Sequence, residues 1–488
     1  MKEEQKMPFV KCFRTPNDFY CFDANKSELI DIPEEVYRYL LRQAEGNAAG
    51  EPPAAYTDFR SRGYFSEESR VQHVRHPMTD YIETLLERKL GKLTLQVTQN
   101  CNFRCKYCIY SENSSEQQRS HSQKNMSWKT AKKAVDFLRA HAIDSEDVNI
   151  SFYGGEPLLK MGLIRQVVAY AEECFAGKRL SFNMTTNGTL LNEEIIRYLE
   201  EHKIKLMISL DGPKKINDKN RVFRGGGGTF DTVMERIELV RRVAPEYAKS
   251  MQISMVMDPQ NDFDCINEIY LNEKELSELF VAPAIVDREY DDAQAAYAEE
   301  FVWKRQYQAF LAILAHCGRI DKNRVSPIAA VSEKSAIENR FDAAEYAPLY
   351  ETDAPGGPCM PGQLRLFCNV DENLFPCERV SETSEATRIG NLTDGFDVDK
   401  VKRFLNVGQV TEEDCRNCWS FRFCSLCGKK ADSGNAEFDA ARKKKHCGDV
   451  RNAAYEKIKR YLLFQEMAVY YGAQLEETGN AAKDARGE

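Results

Sequence analysis

Six times between residues 93 and 315 a short apolar run is followed by a longer segment with helical spacing of its apolar positions. The runs cover 93–98, 148–153, 180–185, 205–210, 251–257 and 281–286. The helical segments cover 127–142, 161–175, 192–202, 230–244, 262–279 and 296–315. The runs have strand length, and the periodic stretches are too long for strands. Regular strand–helix alternation predicts parallel βαβ units, so the fold class is α/β. In β/α barrels the chemistry sits at the C-terminal ends of the strands.

The flanks read differently. Residues 9–14, 19–23 and 29–32 read as three short strands, the first two joined by a turn at 15–18. Pro33 opens a helix reaching about Gln43, with proline at the first helical position. A loop follows at 44–53, then a second helix around Asp58. Residues 321–357 are irregular and end in the stretch Asp353-Ala354-Pro355-Gly356-Gly357-Pro358. A cysteine-rich segment runs from Cys359 to Cys447, followed by a helix at 449–471. The expected units are therefore 1–90, the α/β part at 91–320, a linker region at 321–357, and a cysteine-rich domain with its helix at 358–472. Residues 473–488 are expected to form a disordered tail.

Composition narrows the class. A chain of 488 residues calls for two to four domains. It is 42% hydrophobic without any apolar run near the roughly 20 residues that span a bilayer, so no membrane partner is expected. The start, Met1-Lys2-Glu3-Glu4-Gln5-Lys6, has no apolar stretch behind it, which predicts no signal peptide and a cytoplasmic protein. Acids and bases are interspersed around a net charge of −9, so no nucleic-acid footprint is expected. Sixteen cysteines without an export signal argue against a disulfide framework. Cys12, Cys21, Cys174, Cys265 and Cys317 are scattered and read as structural. The other eleven are grouped.

Three of them, Cys101, Cys105 and Cys108, form a C-x3-C-x2-C run on the loop after the first barrel strand. Thiolates select iron–sulfur clusters or zinc over hard cations. Three thiolates on one short loop can hold three irons of a 4Fe–4S cube and leave the fourth open; a zinc site or buried free cysteines are the alternative. The run resembles the signature of the radical S-adenosyl-L-methionine (radical SAM) enzymes. The resemblance implies a partial (β/α)6 barrel and an open iron that binds the amine and carboxylate of S-adenosyl-L-methionine. It also implies one-electron cleavage of that cofactor to a 5′-deoxyadenosyl radical, which takes hydrogen from an unactivated carbon.

Later segments resemble the same family in the same order. Gly154-Gly155-Glu156-Pro157 follows the second strand and resembles the motif that receives the cofactor's amino group. Glycines allow close backbone approach, and Glu156 offers an acceptor for an ammonium. Asn187 in Thr185-Thr186-Asn187-Gly188, and Ser209 and Asp211 in Ser209-Leu210-Asp211-Gly212-Pro213, follow the third and fourth strands. Turn capping beside glycine would also explain Asn187 and Asp211. The resemblance places Ser209 at the cofactor ribose or carboxylate and Tyr107 beside the adenine. Arg221, in preference to Arg224, is the candidate guanidinium for the methionine carboxylate.

The eight C-terminal cysteines read Cys359-x8-Cys368-x8-Cys377, then Cys415-x2-Cys418-x5-Cys424-x2-Cys427, then Cys447. This resembles the SPASM domain with two auxiliary 4Fe–4S clusters, which with the first would make three. The last inner spacing is x2 where the family has x3, and Glu372 stands where the family has glycine. Carried over, one cluster would use Cys359, Cys368, Cys377 and Cys427, and the other Cys415, Cys418, Cys424 and Cys447. Two four-cysteine zinc sites are the competing reading. Glu378 falls where a sulfatase-maturing relative would place its proton acceptor, so it is the catalytic candidate. By element order, residues 1–90 resemble the winged-helix-like recognition domain of enzymes that modify ribosomally made peptides.

The whole pattern is similar to maturases of cysteine-rich ribosomal peptides, of sactipeptide and ranthipeptide type. That resemblance implies thioether formation between a cysteine sulfur and an unactivated carbon. The implied partners are a cysteine-rich precursor peptide with a leader segment and an external one-electron reductant such as flavodoxin or ferredoxin. A formylglycine-forming sulfatase maturase or a carbon–carbon cross-linker, and a non-catalytic iron–sulfur carrier or scaffold, are the other readings.

Overall fold

The structure, a computed structural model, describes residues 8–46, 50–110, 119, 121–273, 276, 279–286, 297–330, 333 and 347–471. The expected tail at 473–488 and much of the expected linker lie outside these residues.

Strands β1 (Val10–Arg14), β2 (Phe19–Asp23) and β3 (Glu28–Asp31) form an antiparallel sheet in the order β1-β2-β3. Alternation along these strands gives the sheet two apolar faces. One face, with Cys21, packs on Val36, Leu40, Tyr56 and Phe65 from its own helices and loop. The other face, with Phe13, Tyr20 and Phe22, packs on Ile458 and Leu462 of the helix Cys447–Tyr470. Phe13 stacks on Tyr455 with ring centroids 4.9 Å apart. Glu466 on the same helix accepts from the Tyr20 hydroxyl at 2.7 Å and from Asn17 at 3.1 Å. Strand β4 (His73–Val74) leaves this sheet and pairs in parallel with β11 (Thr352–Asp353).

Strands β5 (Lys92–Thr98), β6 (Asp147–Gly154), β7 (Arg179–Thr186), β8 (Lys205–Ser209), β9 (Gln252–Met257) and β10 (Phe280–Ile285) are the six expected parallel strands. They lie side by side in sequence order. Helices Trp128–His141, Met161–Cys174, Glu193–Glu201, Phe230–Val243 and Phe263–Asn272 return the chain between them. Alternate residues such as Leu95, Ile150, Met184, Ile208 and Ile253 are buried against those helices. Many of the opposite positions are polar, among them Asn149, Ser151, Ser181, Asn183 and Ser209, beside apolar Met207 and Val256. Ser151 donates to Asn183 at 2.8 Å, and Asn149 donates to the Ser181 hydroxyl at 2.9 Å. Sheets of this kind are usually apolar on both faces; a polar concave face leaves room for a polar ligand.

The sheet does not stop at β5. Strand β12 (Leu366–Cys368) pairs in parallel with β5, and β13 (Asn373–Phe375), β14 (Gly390–Asn391) and β15 (Gly395–Phe396) continue it antiparallel, giving ten strands. The first part of the cysteine-rich segment, 366–396, thus extends the parallel sheet. The described end of the expected linker is also packed. Asp353 pairs with Arg422 at 2.6 Å, and the Gly357 amide donates to the Cys424 carbonyl at 2.6 Å.

The predicted helix at 262–279 is shorter, Phe263–Asn272, and an unpredicted helix, Lys214–Asn220, follows Pro213. Glu372, at the family's glycine position, has φ +67°. A left-handed conformation costs a non-glycine residue about 1–2 kcal/mol. Its carboxylate offsets part of that by pairing with Lys133 at 2.7 Å.

Candidate active site

Cys101, Cys105 and Cys108 lie on the loop that leaves the C-terminal end of β5. Burial raises all three thiols, Cys101 to about 12 and Cys105 to about 11; the nearby Glu156 carboxylate adds to the rise at Cys101. The three pack in one cluster with Phe103, Tyr107 and Phe223. A metal group must displace protons from such thiols, coupling its binding to proton release.

The glycines of the β6 turn serve this loop. A Cβ on Gly154 would stand 2.2 Å from the Thr98 carbonyl oxygen, and one on Gly155 would stand 2.1 Å from that of Asn100. Gly154 has φ +144°, which disfavours any side chain. The Gly155 amide donates to Thr98 at 2.8 Å and the Glu156 amide to Asn100 at 2.9 Å. These glycines therefore allow β6 to cross directly beneath the cysteine loop; what their missing side chains admit is protein backbone.

Glu156 is buried, and its carboxylate is held by three protein donors. They are the Thr186 hydroxyl at 2.6 Å, the Leu158 amide at 3.0 Å and the Asn187 amide at 2.8 Å. Burial raises its pKa, and these donors oppose the rise. Asn187 in turn donates to Asn102 of the cysteine loop at 2.8 Å. The Glu156 carboxylate thus ties the turn after β6 to the end of β7, and the Asn187 side chain ties that end to the cysteine loop. Ser209 ends β8, half-buried on the polar face.

Tyr107, Asp211 and Arg221 meet. The Tyr107 hydroxyl donates to Asp211, and Arg221 donates to Tyr107 at 2.7 Å while standing 4.0 Å from Asp211. Asp211 and Arg221 are both buried. Burial raises the Asp211 carboxyl, and Arg221 pulls it back. The Arg221 Nε is buried without an acceptor, so the guanidinium keeps an unused donor. Arg224 is exposed. Soft thiolates, a buried guanidinium with a free donor and a polar concave face fit an iron–sulfur group with an anionic cofactor end beside it.

The C-terminal cysteines separate into two places. Cys415, Cys418, Cys424 and Cys447 line a single cavity of about 40 Å³. Cys377 is raised to about 11 by burial, then by Glu378, Cys427 and Cys359. Burial also raises Cys359, and the nearby Cys427 adds to it, while Cys377 and Cys427 pack in one cluster. Cys368 does not join them. It stands opposite Leu95 in the β12–β5 ladder, buried in the helix-side core with Leu93 and Leu366. Its neighbour Phe367 faces the other way and packs with Cys377 and Cys427. A strand turns successive side chains to opposite faces, and that excludes Cys368 from the set the spacing assigned to it. Glu378 is half-buried and accepts from Arg365 at 3.2 Å. Among the described residues no three such donors are drawn in tightly enough for a single metal ion; the sulfurs around a four-iron cube stand farther apart than those around one zinc.

Sequence reasoning missed Arg119. It is 2% exposed and donates to the carbonyls of Glu378 at 2.6 Å and Val380 at 3.1 Å. Its Nε lies 2.7 Å from Glu382, too bent for a hydrogen bond but close enough for charge attraction. Glu382 also accepts from Gln96 on β5 at 2.6 Å. A lone arginine after the cysteine loop carries no sequence signal; only folding shows that it joins that loop to the Cys377 segment.

Residues 95–270 match the model of the radical SAM superfamily. The chain is 29% identical over 354 residues to a cysteine-type anaerobic sulfatase-maturating enzyme of Clostridium novyi, covering 69% of this chain and 87% of that one. An uncharacterised protein of Methanocaldococcus jannaschii is 39% identical over 142 residues, 29% of this chain, which spans less than half, 46%, of that relative. The solved structure of native anSMEcpe with bound AdoMet shares the fold, with TM-score 0.56 at 18% identity over 79% of this chain and 100% of that one. The three-thiolate loop on a parallel barrel sheet is thus that of a radical SAM enzyme. Residues 95–270 form a radical SAM domain, and the chain is homologous to the anaerobic sulfatase-maturating enzymes. Among the described residues no helix is long and apolar enough to cross a membrane.

Proposed function

We propose that the protein is a maturase that installs thioether cross-links in a cysteine-rich ribosomal peptide. The observation that carries this reading is the set Cys359, Cys377 and Cys427 without Cys368. Three thiolates leave one corner of a cube without a protein thiolate, and a substrate cysteine has the right chemistry to fill it. The bound S-adenosyl-L-methionine and three 4Fe–4S groups would supply removal of a hydrogen atom from an unactivated carbon and an outward route for the surplus electron.

The chain's own residues do the rest. Cys101, Cys105 and Cys108 would hold the cofactor cluster, with Arg221 turned to the methionine carboxylate. Glu156 and Asn187 hold the loop above the barrel. Glu378, next to Cys377 and paired with Arg365, would take the proton that the substrate thiol gives up as it binds the cluster. Cys415, Cys418, Cys424 and Cys447 would hold the second auxiliary cluster. The edge strands β1 and β3 offer unpaired backbone groups to an extended leader peptide. An external reductant of flavodoxin or ferredoxin type would feed the cycle.

The sulfatase-maturating relatives favour a second reading, oxidation of a protein cysteine or serine to formylglycine. Anaerobic assay of the reconstituted enzyme with a leader-bearing peptide separates the two. Thioether formation removes an alkylatable thiol with each new bond and links two residues in fragment spectra. A carbonyl trapped by a hydrazide would instead establish formylglycine. A link between residues with every thiol still alkylated would establish carbon–carbon cross-linking.

A further inference from the structure

Arg442, Lys443, Lys444 and Lys445 read along the chain as one solvated basic face. The fold separates them. The helix Ala440–Lys445 is capped by Asp439 and turns only Lys443 fully inward, to 1% exposure. Lys444 faces out to Asp414 at 2.6 Å.

The Lys443 ammonium donates to the Thr411 hydroxyl at 2.5 Å and to the Cys415 sulfur at 3.4 Å. Thr411 also stands 3.3 Å from the same sulfur, closing a triangle. Lys443 lines the cavity that Cys415, Cys418, Cys424 and Cys447 surround. One buried cation therefore stands against one sulfur and faces the cavity that all four line. Burying an ammonium is costly unless it is paired, and its described partners are a hydroxyl and a thiol. A thiolate-bound metal group supplies the missing negative charge.

We propose that Lys443 is the built-in counter-charge of the second auxiliary cluster and sets its reduction potential through an N–H···S bond to Cys415. Reduction adds one negative charge to a cluster. A cation fixed against its sulfur stabilises the reduced state, so the potential rises. The second auxiliary cluster is then easier to reduce than it would be without Lys443. This role rests on the reading that these four cysteines hold an iron–sulfur cluster.

The test is a potentiometric titration of the reconstituted full-length protein, followed by electron paramagnetic resonance. The relevant signal is the one lost in Cys424→Ala. In Lys443→Met the midpoint of that signal should move negative with iron content unchanged, and Lys443→Arg should return it toward the wild-type value. Thr411→Val keeps the charge and removes the hydroxyl beside the sulfur, so a smaller negative shift is expected even if Lys443→Met fails to fold. An unchanged midpoint in a folded, iron-replete Lys443→Met, or in Lys443→Gln where Lys443→Met does not fold, overturns the role of Lys443. Wild-type protein that carries no iron at these cysteines overturns the cluster reading itself, and the iron count tells the two failures apart.

Discussion

Cys368 stands opposite Leu95 in the ladder between β12 and β5, so its thiol enters the core that Leu95 shares with the barrel helices. Cys377, nine residues on, lies beside the ring of Phe367 on the other face of the sheet. Two cysteines at regular spacing thus point to different places, one into the core and one toward the proposed cluster site. A sheet separates them, and a one-residue change in the register of β12 would turn Cys368 to the face that Phe367 now holds.

Cys368→Ala should therefore keep the full iron content of the reconstituted protein. It should cost stability of about 1 kcal/mol, the ordinary size for a small core truncation. Cys377→Ala should lose about four irons and peptide modification together. Iron analysis and thermal unfolding of both variants check this; equal iron loss in the two would return Cys368 to the ligand set.

Replacing Cys101, Cys105 and Cys108 together with alanine should leave about eight of about twelve irons and abolish cleavage of S-adenosyl-L-methionine. Cleavage measured by 5′-deoxyadenosine release decides it. Turnover in the triple variant would remove these residues from the catalytic site.

Arg221→Met leaves the buried Asp211 without its cation, at a cost of about 3–5 kcal/mol. Arg221→Met with Asp211→Asn should recover much of that stability while binding of S-adenosyl-L-methionine stays weak. Arg224→Met, at an exposed position, should alter neither. Calorimetric binding and melting curves for the three variants separate the carboxylate grip from mere ion pairing.

Leader peptide should slow amide exchange along one of the two edge strands, β1 or β3. Protection at neither strand would exclude strand addition. Removing the N-terminal unit is a poorer test than its sequence boundaries imply. Phe9, Val71 and Val74 pack with Cys415 and Phe421, so truncation should also cost iron at the second auxiliary site.

His121 supplies a pH dependence. Burial, and then Arg104, lower its imidazole to about 4 from an ordinary value near 6.5. The unfolded chain then binds the proton more readily, so this contribution to stability is present above pH ~6.5 and is lost as pH falls toward ~4. Melting temperatures of the metal-free chain should drop over that window, and His121→Phe should flatten the drop. Parallel curves for the two proteins would refute it.

The alternation of apolar runs and helical segments was enough to place the six parallel strands and the α/β class, because strand and helix periods are local properties of a chain. The cysteine loop, the β6 glycines and the Asp211 turn were legible for a related reason: each is a short motif at a strand end. What neighbouring residues could not decide was which groups meet across the sheet. Cys368 matched the ligand spacing yet faces the core, since face depends on register with β5. Arg119 and Lys443 sit among ordinary polar residues and become buried cations only when Glu382 and Cys415, hundreds and tens of residues away, fold against them. The packing of the N-terminal sheet on Tyr455 and Ile458 had no local sign either. Periodicity reports which side of an element is apolar, and only tertiary contact determines what that side touches.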